Sequence, residues 1–286
     1  MIIARLQGGL GNQLFQYAAA KGLASRLNCG FKVENITSLT KDRKRKLALD
    51  ELHTQYHLAT ENEVRRFVKL PSLYRHAPSL FSLLSKNIYR EPHFHFDHSF
   101  TLLQDPVFLD GFFQSPKYFS NVNHDILKEF RIKTELSARI KEKCDELANT
   151  NSISVHIRRG DFLNPKAINY HGILDKHYYE TALELIKQKA GDHARFYFFS
   201  DDINWVSSNL LLPPNSELVS KSTGSAIEDF FLMSNCKHNI IANSSFSWWP
   251  AWLNNNDKKI VIAPKNWFVD TSIITTDLIP EEWIRI

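Results

Sequence analysis

The feature that most constrains the fold is a regular alternation of strand-like and helix-like segments in the second half of the chain. Short apolar runs such as "ISVHIR", "RFYFFS" and "KIVIA" are separated by longer segments with helical spacing, such as "DKHYYETALELIKQKA". Parallel strands need crossover connections of about this length, which are usually helices. The pattern therefore predicts a doubly wound α/β sheet in residues 150–286.

A β–loop–α–β unit is predicted at the start of the chain. Ile2, Ile3 and Leu6 suggest a strand, "NQLFQYAAAKGLASRLN" has the spacing of a helix with one buried stripe, and "CGFKVEN" suggests a second strand. Residues 36–125 are less regular, and residues 125–149 have a helical pattern that leads into the next strand. We expect two α/β domains, residues 1–149 and 150–286.

The composition is that of a globular protein with a mild positive charge. The chain has 286 residues, 43% of them hydrophobic, and a formal net charge of +4. This charge favours anionic partners such as nucleotides or a membrane surface and does not require nucleic acid. The basic stretches at 41–46 and 72–90 fit either ordinary solvated or packed surface, or contact with an acceptor or an anionic membrane.

Cysteine usage and the lack of long apolar runs indicate the compartment. Cys29, Cys144 and Cys236 are odd in number and outside any metal-ligand spacing, as expected for reduced thiols. Residues 1–6 are too short for a signal peptide, and no run of about 18 apolar residues occurs. We expect a cytoplasmic protein whose membrane contact is at most peripheral, at the inner membrane face.

The stretch "SVHIRRGDF" at residues 154–162 ends a buried strand with charged residues. A period of two places Val155 and Ile157 on one face and His156 and Arg158 on the other, with Arg159 at the end of the strand. Ligands of parallel α/β sheets bind beyond the carboxyl ends of the strands, and guanidinium groups match phosphate oxygens. The motif therefore indicates an anion site.

A second interpretation of the same residues stays open. Arg158 and Arg159 could pair with Asp161 and with carboxylates such as Glu228, in a network that is only structural. Gly160 would allow the sharp turn that follows the strand.

The loop "GGLGNQ" lies between the first strand and the first helix, where glycines let backbone N–H groups approach phosphate. It matches neither the dinucleotide-binding pattern nor the Walker pattern, so Gly9 and Gly11 alone are equally consistent with a tight turn. Asn12 and Gln13 add polar groups where a sugar or phosphate would lie.

The stretch "NIIANSSFSWWPAWL" repeats this geometry in the second half. Ser244 and Ser245 are candidate N-caps, and a serine-rich helix start can also bind an anion. We interpret the tryptophans of this stretch as core residues, namely Trp248, Trp249 and Trp252.

Two further stretches carry acidic residues. Ser225 and Glu228 have the spacing of a capping box, which would leave Asp229 free to face outward from the helix. Asp201 and Asp202 end another strand, but no third ligand at a useful spacing accompanies them, so we expect no metal site.

With "GGLGNQLFQYA", "HIRRGDF", "FSDD" and "NSSFSWWPAWL" in this order, the chain resembles the α-1,2-fucosyltransferases of glycosyltransferase family 11, and their bacterial members in particular. The resemblance implies a GT-B-like fold of two Rossmann-like domains facing a donor cleft. It also implies inverting, metal-independent transfer of L-fucose from GDP-fucose to the 2-hydroxyl of a galactoside. No cofactor is expected in addition to the donor substrate, GDP-fucose.

The resemblance also suggests roles for individual residues. His156 and Arg158 would bind the diphosphate and ribose region, with Arg158 at the β-phosphate and Arg159 beside it. Asp229 would bind guanine, Ser244 and Ser245 would contact phosphate, and the glycine loop with Asn12 would approach the diphosphate or fucose. These donor-binding residues are Gly9, Gly11, Asn12, Gln13, His156, Arg158, Arg159, Asp229, Ser244 and Ser245.

The chemistry assigns catalytic roles to Arg158 and Asp161. A guanidinium aimed at the leaving phosphate stabilises the charge that develops as the glycosidic bond breaks. Asp161 is the nearest motif carboxylate that could accept the proton of the acceptor hydroxyl, but it could equally orient the arginines, and the proton could leave through a phosphate oxygen.

The acceptor is the least determined part. We expect a galactose-containing glycan, such as a lipid-linked surface polysaccharide under synthesis, bound mainly by the first domain. His171 and His177 could bind it or be ordinary surface residues. Two rival functions stay open, a non-catalytic module that binds a nucleotide or phosphorylated glycan, and a transferase for another nucleotide sugar.

Overall fold

The computed structural model describes most of the chain. It covers residues 1–37, 47–74, 76–79, 81, 85, 87–191 and 193–286. The basic stretch at 41–46 lies outside these residues, and the stretch at 72–90 is described only in part.

The chain divides into two compact units. Unit 1 comprises Met1–Lys133 and Ile274–Leu278, and unit 2 comprises Thr134–Ile273 and Ile279–Ile286. This division differs from the expected boundary after residue 149, because the helix Ala138–Asn149 packs Ile140 and Leu147 into a core cluster of unit 2. The functional roles expected for the two domains stay predictions.

Unit 1 is built around a parallel sheet of four strands. Its elements in chain order are β1 (Ile2–Arg5), α1 (Leu10–Arg26), β2 (Phe31–Glu34), α2 (Glu61–Arg65), α3 (Pro71–Tyr74), β3 (Ile88–Arg90), β4 (Val107–Asp110) and α4 (Asn123–Glu129), with 3₁₀ turns at Ala48–Glu51, His98–Leu102, Pro116–Tyr118 and Ser120–Val122. The strand order is β2-β1-β4-β3. The parallel pairing of β1 with β2 confirms the predicted β–loop–α–β unit. Strands β3 and β4 were not predicted, because they are too short to show a clear period.

Helix α1 is buried on more sides than its sequence pattern predicts. The spacing indicates one buried stripe, whereas residues 13–20 are all buried. The reason is that α1 packs on β1 and β2 and is also covered by the 3₁₀ turns at Pro116–Tyr118 and Ser120–Val122. The glycine loop before α1 is therefore anchored to a well-packed helix.

Unit 2 contains a parallel sheet of six strands between helices. Its elements are α5 (Ala138–Asn149), β5 (Asn151–Ile157), α6 (Pro165–His171), α7 (Lys176–Ala190), β6 (Ala194–Ser200), α8 (Ile203–Asn209), β7 (Ser216–Leu218), α9 (Ala226–Asn235), β8 (His238–Ile240), α10 (Ser245–Leu253), β9 (Val261–Ala263) and β10 (Ile284–Arg285), with 3₁₀ turns at Gly160–Leu163 and Val219–Lys221. The strand order is β10-β9-β8-β5-β6-β7. The predicted alternation is confirmed, β10 is an additional strand, and the helical pattern at 125–149 corresponds to two helices, α4 and α5.

The strand pattern around the arginine motif is confirmed by the core of unit 2. Val155 and Ile157 pack in a cluster with α7 and α8 on one face of the sheet. Tyr197 and Phe199 pack in another cluster with α5 and α9. His156 lies on the face opposite Val155 and Ile157, beside Phe246 of α10. The site residues therefore extend from a strand that is buried on both faces.

No helix in the described part of the chain has the length and apolar character needed to span a bilayer.

Candidate active site at the carboxyl edge of the second sheet

The register of β5 and β6 places the arginine motif beside the acidic pair. Ile157 is the partner of Ser200 in the parallel ladder, so the residues after them leave the sheet side by side. Arg158 Nη1 lies 3.0 Å from Asp201 Oδ2, and Arg158 Nη2 lies 2.7 Å from Asp161 Oδ1. The guanidinium of Arg158 is therefore held from two sides, while about a quarter of the side chain (26%) stays exposed.

Arg159 is oriented by a second acid and an aromatic ring. Its Nε lies 3.3 Å from Asp202 Oδ2, and its guanidinium lies 4.0 Å from the centre of the Trp205 ring. Asp202 also caps helix α8 by accepting the backbone N–H of Trp205. Asp202 and Trp205 thus fix the position of Arg159.

Asp201 shapes the turn after β5 as well as binding Arg158. Its Oδ1 accepts the backbone N–H of Arg159 at 2.9 Å. At Gly160 a Cβ atom would lie 2.6 Å from Asp201 Oδ2, so the glycine is needed for this close approach. The sequence suggested that Gly160 allows a sharp turn, whereas in the structure the lack of a side chain at Gly160 makes room for the Asp201 carboxylate. The acidic pair is employed in holding the arginines, and the structural network does not use Glu228.

His156 is a buried neutral base next to the arginines. The residue is 3% exposed. Burial, with a smaller contribution from Arg158, lowers the pKa of its imidazole to about 3. Its Nδ1 has no hydrogen-bond partner among the described residues. A neutral imidazole can donate a hydrogen bond from one ring nitrogen and accept one at the other.

Asp229 does not face outward, so that expectation is wrong. Its two carboxylate oxygens accept hydrogen bonds from the hydroxyls of Ser220 and Thr223, both at 2.6 Å. Burial raises the pKa of Asp229, while the two hydroxyls oppose that shift. Ser220 also accepts the backbone N–H of Ser200, at the end of β6. These bonds link Asp229 to the edge where the arginines lie.

The predicted capping box next to Asp229 is half present. The Ser225 side chain accepts the backbone N–H of Glu228, as expected. The Glu228 carboxylate accepts the N–H of Gly224 instead of that of Ser225. These two side chains together cap the start of α9.

The serine motif begins α10 as predicted. Ser244 is the N-cap and accepts the backbone N–H of Phe246, and it is 7% exposed. Ser245 is the first residue of the helix and is half-buried. Asn243, which precedes the two serines but was not among the predicted site residues, donates to the carbonyl of His171 at 2.7 Å and to that of Trp267 at 3.3 Å. It thereby joins the loops after β5, β8 and β9. Trp248 and Trp249 are fully buried core residues, as predicted, and Trp252 is partly buried.

The two candidate histidines have different surroundings. His177 is exposed at the start of α7. His171 is half-buried and stacks on Phe162, with ring centres 4.6 Å apart and planes 10° apart. Burial lowers the pKa of His171, opposed by the charge of Asp161. The guanidinium of Arg158 lies over the same Phe162 ring, 5.6 Å from its centre. His171 therefore belongs to the arginine site.

The glycine loop belongs to unit 1 and is held by carboxamides. Gly8 has a positive φ of 79°, and a Cβ there would lie 2.5 Å from Asn12 Nδ2. Gly9 is the N-cap of α1, and Gly11 is buried in its first turn. The Gln13 side chain donates to the carbonyl of Gly8. The glycine that the turn requires is therefore Gly8, which the motif includes but our site prediction omitted.

Unit 2 brings its predicted site residues to one edge of the sheet. Arg158, Arg159 and Asp161 follow β5, and Asp229 is tied to the end of β6 through Ser220. Sequence patterns gave no signal for Trp205, Ser220 or Thr223, and Phe162, the last residue of the arginine motif, was given no role. The sequence predicts β5 and β6 clearly. If these two strands are assumed to be neighbours, Asp201 and Asp202 at the end of β6 are expected to lie beside the arginines at the end of β5.

The described residues contain no group of three or more His, Cys, Asp or Glu side chains arranged to hold a metal ion. The oxygens of Asp201 and Asp202 point to guanidinium and backbone N–H groups.

Comparison with known proteins identifies the family. The family model described as "Glycosyl transferase family 11" matches residues 1–286. The O-antigen biosynthesis glycosyltransferase WbnK of Escherichia coli is 34% identical, with 98% of this chain and 99% of the relative covered. An alpha-1,2-colitosyltransferase of E. coli is also 34% identical, with 100% and 99% covered.

A solved structure supports the fold class. The chain is similar to the NodZ alpha-1,6-fucosyltransferase soaked with GDP-fucose, with a TM-score of 0.50, 16% identity, and 88% of this chain and 91% of that chain covered. The predicted α/β, GT-B-like fold class is confirmed. The match to the family model over the whole length confirms the resemblance that the four motifs predicted, and the chain belongs to glycosyl transferase family 11.

Proposed function

We propose that the protein transfers L-fucose from GDP-fucose to the 2-hydroxyl of a galactoside, with inversion at the fucose anomeric carbon. The observation that carries the proposal is the pair of oriented guanidinium groups at the carboxyl edge of the second sheet. Parallel α/β sheets bind ligands at this edge, and a nucleoside diphosphate carries the negative charge that such a pair recognises.

Arg158 is the group that we place at the β-phosphate. Asp201 and Asp161 hold its guanidinium, which is partly open to a ligand. As the bond between fucose and the β-phosphate breaks, negative charge grows on the leaving phosphate. A guanidinium that is already oriented stabilises this charge at little reorganisation cost. Arg159 adds a second positive charge beside it.

The remaining donor contacts follow from the same edge. His156 supplies a neutral nitrogen for the diphosphate or ribose region, and Asp229, which also accepts the hydroxyls of Ser220 and Thr223, would bind guanine. Ser244 and Ser245, at the start of α10, and the glycine loop of unit 1 would contribute further contacts. The residues of the glycine loop that we assign to the donor are Gly9, Gly11, Asn12 and Gln13.

Asp161 is better suited to orient Arg158 than to accept a proton. One of its oxygens is in a 2.7 Å ion pair with Nη2. In an inverting displacement the nucleophile also approaches from the face opposite the leaving phosphate, away from the group that binds it. We therefore assign Asp161 to positioning and leave proton acceptance to another group.

Metal-independent transfer is part of the proposal. Two guanidinium groups can meet the diphosphate charge that a divalent cation meets in other transferases. The carboxylates closest to them, Asp201 and Asp202, already bind these groups.

A second donor is worth testing because one relative at 34% identity is a colitosyltransferase. Colitose is the 3-deoxy analogue of L-fucose, so the two GDP-sugars differ by one hydroxyl. For the acceptor we propose a galactose-containing surface glycan, including lipid-linked forms, met at the inner face of the membrane.

The deciding experiment incubates the protein with GDP-fucose or GDP-colitose and a panel of β-galactosides, followed by linkage analysis of the products. An α-1,2-fucosylated product supports the proposal. Transfer of colitose alone would replace the donor, and GDP binding without any product would indicate a binding module. Protection against thermal unfolding by UDP in preference to GDP would contradict the whole donor assignment.

A further inference from the structure

Neutral carboxamides, most of them buried, connect the loops at the carboxyl edge of the unit 1 sheet. Gln114, in the loop after β4, donates from Nε2 to Asn12 Oδ1 at 2.7 Å. Gln16 donates to the carbonyl of Gly111 at 3.2 Å and accepts the N–H of Gln7 at 2.9 Å. These bonds fasten the loop after β4 to the glycine loop.

A buried ion pair and a buried carboxylate lie at this edge. Arg5 Nη1 lies 2.9 Å from Asp110 Oδ1, and both side chains are about 95% buried, with exposed fractions of 5% and 4%. Glu34 accepts the backbone N–H of Thr37 at 2.9 Å and is 1% exposed. In unit 2, by contrast, two partly exposed arginines, Arg158 and Arg159, lie next to each other at the edge.

One aromatic side chain in the loop after β4 is exposed. Phe112 is 39% exposed, whereas the next residue, Phe113, is fully buried. Its backbone N–H donates to Glu91 Oε2 at 2.8 Å, and the N–H of Phe113 donates to the same oxygen at 3.0 Å. Phe112 is therefore presented on a fixed backbone.

A second aromatic surface lies on the neighbouring loop. Arg90 is the partner of Asp110 in the β3–β4 ladder, so the loops after these strands start side by side. In the loop after β3, His93 and His95 stack with ring centres 3.5 Å apart and planes 4° apart. His93 is exposed and His95 is partly exposed. Each of the two loops that start side by side therefore carries at least one exposed ring.

We propose that Phe112 and Gln114, beside the glycine loop, form the subsite for the galactoside acceptor, an assignment that rests on the proposed function. The apolar face of a galactose ring packs on an exposed aromatic ring. Carboxamides donate and accept hydrogen bonds with sugar hydroxyls, and Gln114, which is 8% exposed, carries one N–H beyond the one given to Asn12. A neutral, hydroxyl-rich ligand matches an edge at which the buried Arg5 and Asp110 neutralise each other.

Kinetics of purified variants tests this assignment. Phe112→Ala removes the exposed ring and keeps the backbone N–H that binds Glu91, and Gln114→Ala removes the carboxamide. The matched controls are Leu102→Ala, at a residue that is 75% exposed in the same unit, and Gln104→Ala, at an exposed glutamine. The readouts are the KM for a β-galactoside, the KM for GDP-fucose, and the rate of GDP release without acceptor.

The expected result is a rise of at least about tenfold in the acceptor KM for Phe112→Ala, which equals about 1.4 kcal/mol. The KM for GDP-fucose and the release of GDP without acceptor should stay within about twofold of wild type, and the controls should match wild type throughout. Gln114→Ala should raise the acceptor KM as well, and because it also removes the hydrogen bond to Asn12 we expect it to raise the KM for GDP-fucose too. An unchanged acceptor KM in Phe112→Ala, or an equal rise in its KM for GDP-fucose, overturns the subsite.

Failure of the subsite and failure of the proposed function are distinguishable. If wild type fucosylates galactosides and Phe112→Ala does so with the same acceptor KM, only the subsite is wrong. If wild type transfers no fucose, the proposed function is wrong. The subsite is then judged by saturation-transfer NMR with methyl β-D-galactopyranoside, where signals present for wild type and lost in Phe112→Ala support it, and signals absent for wild type or kept in the variant overturn it.

Discussion

Asp201 binds Arg158 and the backbone of the following residue with separate oxygens. Oδ2 lies 3.0 Å from Arg158 Nη1, while Oδ1 accepts the N–H of Arg159 at 2.9 Å. One carboxylate therefore fixes both the direction of the guanidinium and the path of the chain that carries it. This arrangement follows from the register of β5 and β6, because Ile157 and Ser200 are ladder partners. The functional proposal depends on this preorganised guanidinium.

Replacing Arg158 by lysine tests the role of the guanidinium. Lysine keeps the positive charge but loses the planar group that can bind two oxygens at once. We expect kcat to fall at least about tenfold, which is about 1.4 kcal/mol of transition-state stabilisation. Arg195→Lys, at a half-exposed arginine of β6 that pairs with Glu146, is the matched control and should leave kcat unchanged. Wild-type kcat in Arg158→Lys would refute the phosphate assignment.

Gly160→Ala tests whether the close approach of Asp201 matters for activity. The new Cβ would lie 2.6 Å from Asp201 Oδ2, and the carboxylate is already bound on both oxygens. Displacing it should move Arg158, so we expect kcat/KM to fall about tenfold with little change in Tm. Gly30→Ala is the control, because a Cβ at Gly30 meets nothing within 4 Å. Equal activities of the two variants would show that the contact is dispensable.

The fold of unit 2 could be predicted because its central strands are long and strongly apolar. β5 and β6 have seven residues each, so the alternation of Val155, His156 and Ile157 was visible in the sequence. In unit 1 the strands β3 and β4 have three and four residues, and their pairing depends on contacts distant in the chain. The region that holds Phe112 and Gln114 was therefore not recognised as part of a sheet edge.

The sequence indicated which residues are candidates for the site, but it did not predict the contacts between their side chains. The motif indicated that Arg158 lies at the end of a strand, which is a local property. That Asp201 holds Arg158 depends on which strands are neighbours, and the sequence shows this only indirectly. Asp229 was expected to face outward because the sequence pattern describes only the helix that carries it. The pattern gives no information about Ser220 and Thr223, which precede the helix and donate their hydroxyls to Asp229.

Removal of divalent cations tests the metal-independent mechanism. Because the Asp201 and Asp202 oxygens bind guanidinium and N–H groups, we expect the same rate of fucosyl transfer with EDTA as without it. The rate is measured by GDP release with a β-galactoside acceptor, first in EDTA and then after addition of excess manganese. Loss of activity that manganese restores would mean that these carboxylates exchange the arginines for a cation during turnover.

The depressed pKa of His156 predicts how the stability of the protein depends on pH. The imidazole has a pKa of about 3 in the folded chain and an ordinary value of 6.5, so between these values the unfolded chain binds the extra proton. The free energy of unfolding contributed by His156 is therefore complete above pH 6.5 and falls as the pH falls. At pH 5 this loss amounts to roughly 2 kcal/mol.

We expect His156→Phe to lose less stability than wild type between pH 7 and pH 5, by roughly 2 kcal/mol, because phenylalanine cannot take up the proton. Urea unfolding at the two pH values measures the difference. His177→Phe, at an exposed histidine of the same unit, is the control and should show the wild-type dependence. If His156→Phe also kept the full wild-type dependence, His156 would not be the buried neutral group that the structure places beside Arg158.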